Sequence, residues 1–73
     1  MANLMDLQIA IENSRNGRVR IEAGEGADRE AGIARIVTAD EPHGIVEPGH
    51  IVVAWESGVT TVLPRDENTI TVL

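Results

Sequence analysis

The sequence contains no cysteine, and this absence excludes three kinds of chemistry. The chain cannot form disulfide bonds or a thiolate zinc site, and it carries no thiol nucleophile. With 73 residues it is long enough for one domain, and domains of this size often depend on a disulfide, a metal or oligomerisation. We therefore expect a single domain. The lack of cysteine also fits a reducing cytoplasm.

Aromatic side chains are almost absent as well, since Trp55 is accompanied by no Phe and no Tyr. The core must therefore be built from aliphatic residues, Met and Ala. No apolar run approaches the roughly 18 residues that a membrane span requires, and the segment Met1–Asp6 lacks the basic start of a signal peptide. We expect a cytoplasmic protein that does not enter a membrane.

Positive charge is scarce. Twelve acidic residues stand against six basic ones, which gives a net charge of −6 at pH 7, and every basic residue is arginine. Nucleic acids and anionic membranes bind clustered positive charge, so this balance argues against both as partners. An acidic chain is compatible with a basic protein partner.

Residues 5–12 alternate between large apolar side chains and polar or small ones. The apolar members are Met5, Leu7, Ile9 and Ile11. A period of two favours a β-strand, whereas a helix with Asn3 as its N-cap is the alternative. On a helix the apolar residues would fall on two sides, Leu4, Leu7 and Ile11 on one and Met5 and Ile9 on the other. We therefore predict a strand, within an N-terminal extension of residues 1–16 that is either strand or helix.

The tripeptide Arg15-Asn16-Gly17 predicts a hairpin turn, because Asn-Gly favours a left-handed backbone. A three-residue loop would pair Ile11 with Ile21, whereas a two-residue loop would pair Ile11 with Glu22. Only the first choice keeps apolar residues on one face. We predict the three-residue loop, with Gly17 at the left-handed position of a G1 bulge.

Five further short strands are indicated by apolar runs between turn residues. They span residues 18–23, 31–38, 50–55, 59–63 and 69–73, and the turn at 64–68 has room for one 3₁₀ turn. The run at 50–55 is apolar on both faces, which is typical of a central strand or of one covered on both sides. The sequence thus predicts an all-β domain of five to six short antiparallel strands.

From residue 17 onward the pattern resembles the small SH3-like barrels of the KOW and Tudor type, over roughly three quarters of the chain. The matching segments are Gly17–Ile21, Ala31–Val37, Val52–Val62 and the closing strand after Pro64. The resemblance implies an SH3-like barrel over residues 1–73 that binds RNA, DNA, methylated peptides or proteins. KOW-like RNA binders are usually basic, however, and Tudor-like readers need a cage of several aromatics, which one Trp cannot build.

The acidic residues of two predicted loops are the main candidates for partner binding. They are Glu25, Asp28 and Glu30 in the first loop, and Asp40, Glu41 and Glu47 in the second. The resemblance implies that these loops can approach the same rim of the barrel, where they would meet a basic protein partner. The strongest form of this hypothesis is nucleic-acid mimicry, as in small phage-encoded inhibitors. The alternative is that the acids only confer solubility.

Trp55 and four arginines are further candidates. Trp is enriched among the residues that dominate binding energy at interfaces, although a lone Trp ending an apolar strand is more often part of the core or rim. The arginines of the alternative function, a KOW-like nucleic-acid-binding domain, are Arg18, Arg20, Arg29 and Arg35. Arg18 and Arg20 share one face of their strand, but neighbouring acids favour a salt-bridged, solvated face.

Motifs for catalysis or metal binding are missing. His43 and His50 match no standard metal-ligand spacing, and no Gly-x-Ser-x-Gly elbow surrounds Ser14 or Ser57. We predict no enzyme, no metal and no cofactor, with a small oligomeric enzyme whose site is shared between subunits as the alternative. We also predict a homodimer, because the two apolar faces of residues 50–55 need a second subunit or the N-terminal segment to cover them.

Overall fold

The computed structural model of the protein describes residues 3–63 and 69–73. Its elements are the helix α1 (Leu4–Asn13) and the strands β1 (Arg18–Ala23), β2 (Glu30–Ile36), β3 (Ile51–Trp55), β4 (Thr60–Val62) and β5 (Thr71–Val72), with a 3₁₀ turn at Gly26–Asp28. The prediction of a small, mostly β domain with five to six short antiparallel strands is confirmed. The turn predicted at 64–68 lies outside the described residues. Within the described residues, no helix has the length and apolar character that a bilayer crossing requires.

The strand predicted for residues 5–12 is wrong, because this segment forms the helix α1. Its first turn is closed by a capping box: the Asp6 amide donates to the Asn3 side chain over 2.8 Å, and the Asn3 amide donates to the Asp6 carboxylate over 3.4 Å. Leu7 and Ile11 are buried in the core. Burial of two such side chains contributes about 1.5–3 kcal/mol each, which decides between two patterns that the sequence alone left open.

The hairpin predicted between Ile11 and Ile21 is wrong for the same reason. The helix ends at Asn13, and the hydroxyl of its C-cap residue Ser14 donates to the Ile11 carbonyl over 2.6 Å. Gly17 does adopt the predicted left-handed backbone, with φ of +71°. Gly17 lies in the turn that connects α1 to β1, where the Arg18 amide donates to the Asn16 side chain over 3.1 Å.

The five strands form one sheet in the order β4-β3-β2-β1-β5, with every neighbouring pair antiparallel. For residues 50–55 the sequence predicts a central strand or one covered on both sides, and β3 is indeed an interior strand, between β2 and β4. The closing strand predicted for residues 69–73 also forms, but it is limited to Thr71–Val72. It pairs with β1 through Ile21 opposite Val72 and Glu22 opposite Thr71.

The sheet has one covered face, the inner face, on which α1 packs. Its buried core consists of Leu7 and Ile11 from the helix, Ile21, Ala23, Ala34, Ile51, Val53 and Trp55 from the strands, and Leu63 and Ile70 beyond them. The N-terminal segment therefore covers this face, and not the face of Val52 and Ala54. Val52 is nonetheless buried within the chain, whereas Ala54 is exposed.

Trp55 belongs to this core. Only 3% of it is exposed, and its indole N–H donates to the Thr61 hydroxyl over 2.7 Å. Gly32 faces Trp55 on the neighbouring strand, and a Cβ at that position would lie 2.8 Å from the indole Cε3 and 2.7 Å from Val53 Cγ1. The glycine therefore provides the space that the one large aromatic ring of the chain needs.

Candidate interaction surface

The opposite side of the sheet, the outer face, is the candidate functional surface. Strand alternation and register place on it Arg18, Arg20 and Glu22 of β1, Ala31, Ile33 and Arg35 of β2, Val52 and Ala54 of β3, Thr60 and Val62 of β4, and Thr71 of β5. Ile33 lies near its centre, opposite Arg20 on one side and Ala54 on the other. The Ile33 side chain is 46% exposed and Val62 is 44% exposed.

Three of the four arginines proposed from the sequence meet on this face. Arg18 and Arg35 are directly opposite one another on β1 and β2, and Arg20 is opposite Ile33. The inference that Arg18 and Arg20 share a face of their strand agrees with this register. Arg29 lies outside the strands, before β2, and its side chain reaches the edge of this face through an ion pair with Glu22.

Glu41, from the connection between β2 and β3, lies against two of these arginines. Its carboxylate accepts from Arg18 Nη2 with both oxygens, at 3.2 and 3.3 Å. The backbone carbonyl of Glu41 accepts from Arg35 Nη1 at 2.7 Å, and its amide donates to the Thr38 hydroxyl at 3.1 Å. In contrast, the guanidinium of Arg20 has no hydrogen-bond or ion-pair partner among residues 3–63 and 69–73.

Two open hollows flank Ile33 on the outer face. The first, of about 360 Å³, lies beside Arg20, Ala54 and Glu56. The second, of about 140 Å³, lies between Arg18, Arg35 and His43, above Val52. An exposed apolar side chain between two hollows, bordered by guanidinium groups, gives this face both apolar area and positive charge.

The two acidic loops lie at opposite ends of β2. Glu25 and Asp28 lie in the loop before this strand, and the connection with Asp40, Glu41 and Glu47 follows it. Glu30, which the sequence placed in the first loop, is instead the first residue of β2, where it pairs with Ala23. A strand of seven residues spans about 20 Å. Near the first end, the Glu30 carboxylate accepts from the Ser57 amide over 3.0 Å, whereas Glu41 at the second end contacts Arg18. The sheet thus separates the six predicted acids into two groups of three.

The two histidines and Trp55, the remaining candidates from the sequence, make contacts within the chain. His50 Nδ1 lies 3.0 Å from the Glu47 carbonyl oxygen, and His43 is bridged to Val46 through the backbone. No group of three or more metal-ligating side chains occurs in the part of the chain that the structure describes. The buried indole of Trp55 leaves little area for a partner, which favours its interpretation as core.

Comparison with models of known families, with curated proteins and with solved structures finds no match to this chain. Its functional interpretation therefore depends on the geometry of its own residues.

Sequence reasoning missed Ile33 as a residue of this surface. It named Glu41 as a candidate but missed the contact of Glu41 with arginine. Ile33 had a usable signal, because it shares the strand alternation of Arg35 and would be opposite Arg20 once the hairpin of β1 and β2 is aligned. The contact between Glu41 and Arg18 had none. It depends on the path of a long connection without a repeating pattern.

Proposed function

We propose that this chain is a non-catalytic, SH3-like protein-interaction module that docks a partner protein on the outer face of its sheet. The SH3-like assignment is supported by the strand order, in which β1 to β4 form a meander and β5 returns to pair with β1. The cytoplasmic location and the absence of catalysis belong to the same proposal.

The observation that carries the docking proposal is the exposure of Ile33. Ile33 is 46% exposed between two hollows, the exposed Ala54 lies opposite it on β3, and Val62 on β4 is 44% exposed, so the apolar area extends over three strands. Arginine borders it on β1, and arginine is among the residues enriched at protein interfaces. Exposed apolar area with a polar border is the usual composition of a docking surface.

The acidic loops have a smaller part in this proposal than the sequence suggested. A single acidic rim would require both loops to reach one partner surface, yet they leave β2 at opposite ends. Each group of three acids can still border the outer face at its own end. A basic partner held by both groups at once would have to span the length of the strand.

The test compares two isoleucines of nearly equal exposure. Ile33 is on the outer face, and Ile9, which is 48% exposed, is on the side of α1 that is not buried in the core. A photo-crosslinking amino acid replaces each in turn in the host cell, and mass spectrometry identifies the products. We expect a discrete protein to be crosslinked from position 33 and not from position 9.

A binding measurement with that purified protein then completes the test. We expect Ile33→Asp to lower its affinity at least tenfold and Ile9→Asp to leave it unchanged, with circular dichroism confirming that both variants fold. Equal crosslinking from both positions, or unchanged binding by Ile33→Asp, would show that the outer face is not the docking surface.

Nucleic-acid binding is the second candidate, because Arg18, Arg20 and Arg35 share one face. The net charge of −6 opposes it, and so does the engagement of two of these arginines by Glu41. A gel shift with generic RNA and duplex DNA at low salt distinguishes the two functions. A shift that is lost in Arg20→Glu and falls steeply with salt would favour nucleic acid.

The homodimer and the small oligomeric enzyme stay predictions. The argument for a dimer was that a second subunit would cover the second apolar face of β3. This argument is weaker than the sequence suggested, since Val52 on that face is already buried within one chain. Light scattering at micromolar concentration tests it, and a species of monomer mass alone would contradict it.

A further inference from the structure

We infer that the outer face binds an acidic, partly apolar segment of a partner protein, and that Glu41 occupies the place of one of that segment's carboxylates. This inference rests on the proposed function, because it specifies the chemistry of the partner that docks on the same face.

Charge complementarity is the first argument. The chain carries a net charge of −6, yet three of its six arginines lie together on β1 and β2 of the outer face. If these arginines served only solubility, they would have no reason to lie together on one face. Arg18 is paired with Glu41, and Glu22 is paired with Arg29. Arg20 has no acidic partner among the described residues, and Arg35 donates to a backbone carbonyl, so these two guanidinium groups beside Ile33 favour an anionic segment over a cationic one.

The contact of Glu41 is the second argument, and it is independent of the first. Both of its carboxylate oxygens lie within hydrogen-bond distance of Arg18 Nη2, at 3.2 and 3.3 Å. The arginine side chain is 41% exposed and that of Glu41 is 52% exposed, so neither is locked in place by packing. The chain itself thus demonstrates how this face receives a carboxylate, through a surface ion pair that an incoming ligand can replace.

Arg20 supplies the next position along the same strand. It shares the outward direction of Arg18 two residues away, and its guanidinium has no partner among the described residues. Positions two apart on a strand are about 7 Å apart, which is also the spacing of same-side residues in an extended peptide. Two carboxylates on one side of an extended segment can therefore reach Arg18 and Arg20 together.

Ile33 determines the apolar part of the ligand. It lies opposite Arg20 across the strand pair and separates the two hollows of the face. An apolar ligand residue placed between or beside two acids would contact Ile33 while the acids contact the arginines. Polyanions such as nucleic acid provide the charge without this apolar contact.

The test uses three fluorescently labelled octapeptides that differ only in charge. Each has two isoleucines, and its six other positions are all glutamate, all glutamine or all lysine. Fluorescence anisotropy measures binding to the full chain, and a labelled 20-nucleotide single strand of DNA is the fourth probe. We expect the glutamate peptide to bind at least fivefold more tightly than the glutamine peptide and the lysine peptide to bind least. Binding of the lysine peptide as tightly as the glutamate peptide would overturn the inference.

Two charge variants test the role of Glu41. Glu41→Gln removes the internal competitor, and a surface ion pair of this kind corresponds to about a twofold to fivefold gain in affinity for the glutamate peptide. Glu47→Gln is the matched control, since it removes the same charge from the same connection and its carboxylate makes no contact among the described residues. An equal gain in both variants would show that the effect comes from net charge alone. No gain in Glu41→Gln would show that the Glu41 carboxylate does not compete with the peptide for Arg18. Either result would overturn the role inferred for Glu41.

Arg20→Glu and the DNA probe complete the design. We expect Arg20→Glu to lose the preference for the glutamate peptide while keeping its circular dichroism spectrum. Tighter binding of DNA than of the glutamate peptide would overturn the inference in favour of a nucleic-acid ligand. The proposed function can survive such a failure, because crosslinking from position 33 tests docking without reference to the charge of the partner.

Discussion

Ile21 and Ile33 lie on neighbouring strands of the same sheet but on its two different faces. Ile21 is fully buried under α1, whereas 46% of Ile33 is exposed. Both strands alternate in the same way, so the difference comes from what covers each face. The inner face contacts the helix α1 and forms the buried core, whereas on the outer face the connection between β2 and β3 brings His43 beside Val52 and Ile33 stays exposed. The comparison teaches that local sequence pattern specifies two faces, while distant segments decide which of them becomes core.

The largest effect is expected from truncating the two isoleucines. Ile21→Ala should lower the free energy of unfolding by about 2–5 kcal/mol, because it leaves a cavity in the core, whereas Ile33→Ala should lower it by less than about 1 kcal/mol. Urea denaturation followed by the fluorescence of Trp55 measures both. If Ile33→Ala cost as much as Ile21→Ala, the outer face would be a second core and not a docking surface.

Gly32 tests how tightly the inner face is packed. Gly32→Ala should cost about 1–3 kcal/mol, since its Cβ would lie 2.7 Å from Val53 Cγ1 and the surrounding side chains would have to shift. It should also change the fluorescence emission of Trp55, the one tryptophan of the sequence.

Gly26→Ala is the control for that prediction. Gly26 has a left-handed φ of +56° and nothing within 4 Å of an added Cβ, so its cost, about 1–2 kcal/mol, comes from the backbone. The emission of Trp55 should stay the same. A change in emission in both variants would indicate that Trp55 does not report local packing.

A smaller effect is expected at the start of the helix that covers the inner face. Asn3→Ala removes the capping side chain from the Asp6 amide and should lower the free energy of unfolding, measured by urea denaturation, by about 1 kcal/mol. Asn3→Ser keeps a capping oxygen and should cost less. Equal losses in both would indicate that the cap does not stabilise α1.

The smallest effect is expected on the outer face itself. Glu41→Gln should change the free energy of unfolding by no more than about 0.5 kcal/mol, because its ion pair with Arg18 is solvent-exposed. A loss above 1 kcal/mol in thermal or urea unfolding would mean that Glu41 holds the connection in place as a structural residue.

Most of the sheet could be predicted from the sequence, because its strands are bounded by turn residues. Residues 18–23 form β1 with the predicted bounds, and the runs at 50–55 and 59–63 differ by one residue at one or both ends. Residues 5–12 could not be assigned in the same way. Their alternation fits a strand, but Leu7 and Ile11 also share one side of a helix, and only the available inner face decides between the two.

The candidate surface was predictable only in part. The shared face of Arg18 and Arg20 follows from strand alternation within a single segment. That Arg35 and Ile33 lie on the same face can be predicted only when the register between β1 and β2 is known. The contact of Glu41 requires the path of residues 37–50, which no local rule provides. The binding role of the acidic residues stays a prediction, although strand direction places their two segments at opposite ends of β2.

The pairing of β1 with both β2 and β5 has a consequence for how the chain folds. Contacts between β1 and β2 join neighbours in sequence, whereas those between Ile21 and Val72 close a loop of about fifty residues. Closing such a loop costs more entropy, so non-local pairings form late and slow the folding reaction. We expect the meander of β1 to β4 to assemble first, with the edge of β1 open to pairing with other chains until β5 arrives. Folding intermediates of this domain would therefore be most prone to association along that edge.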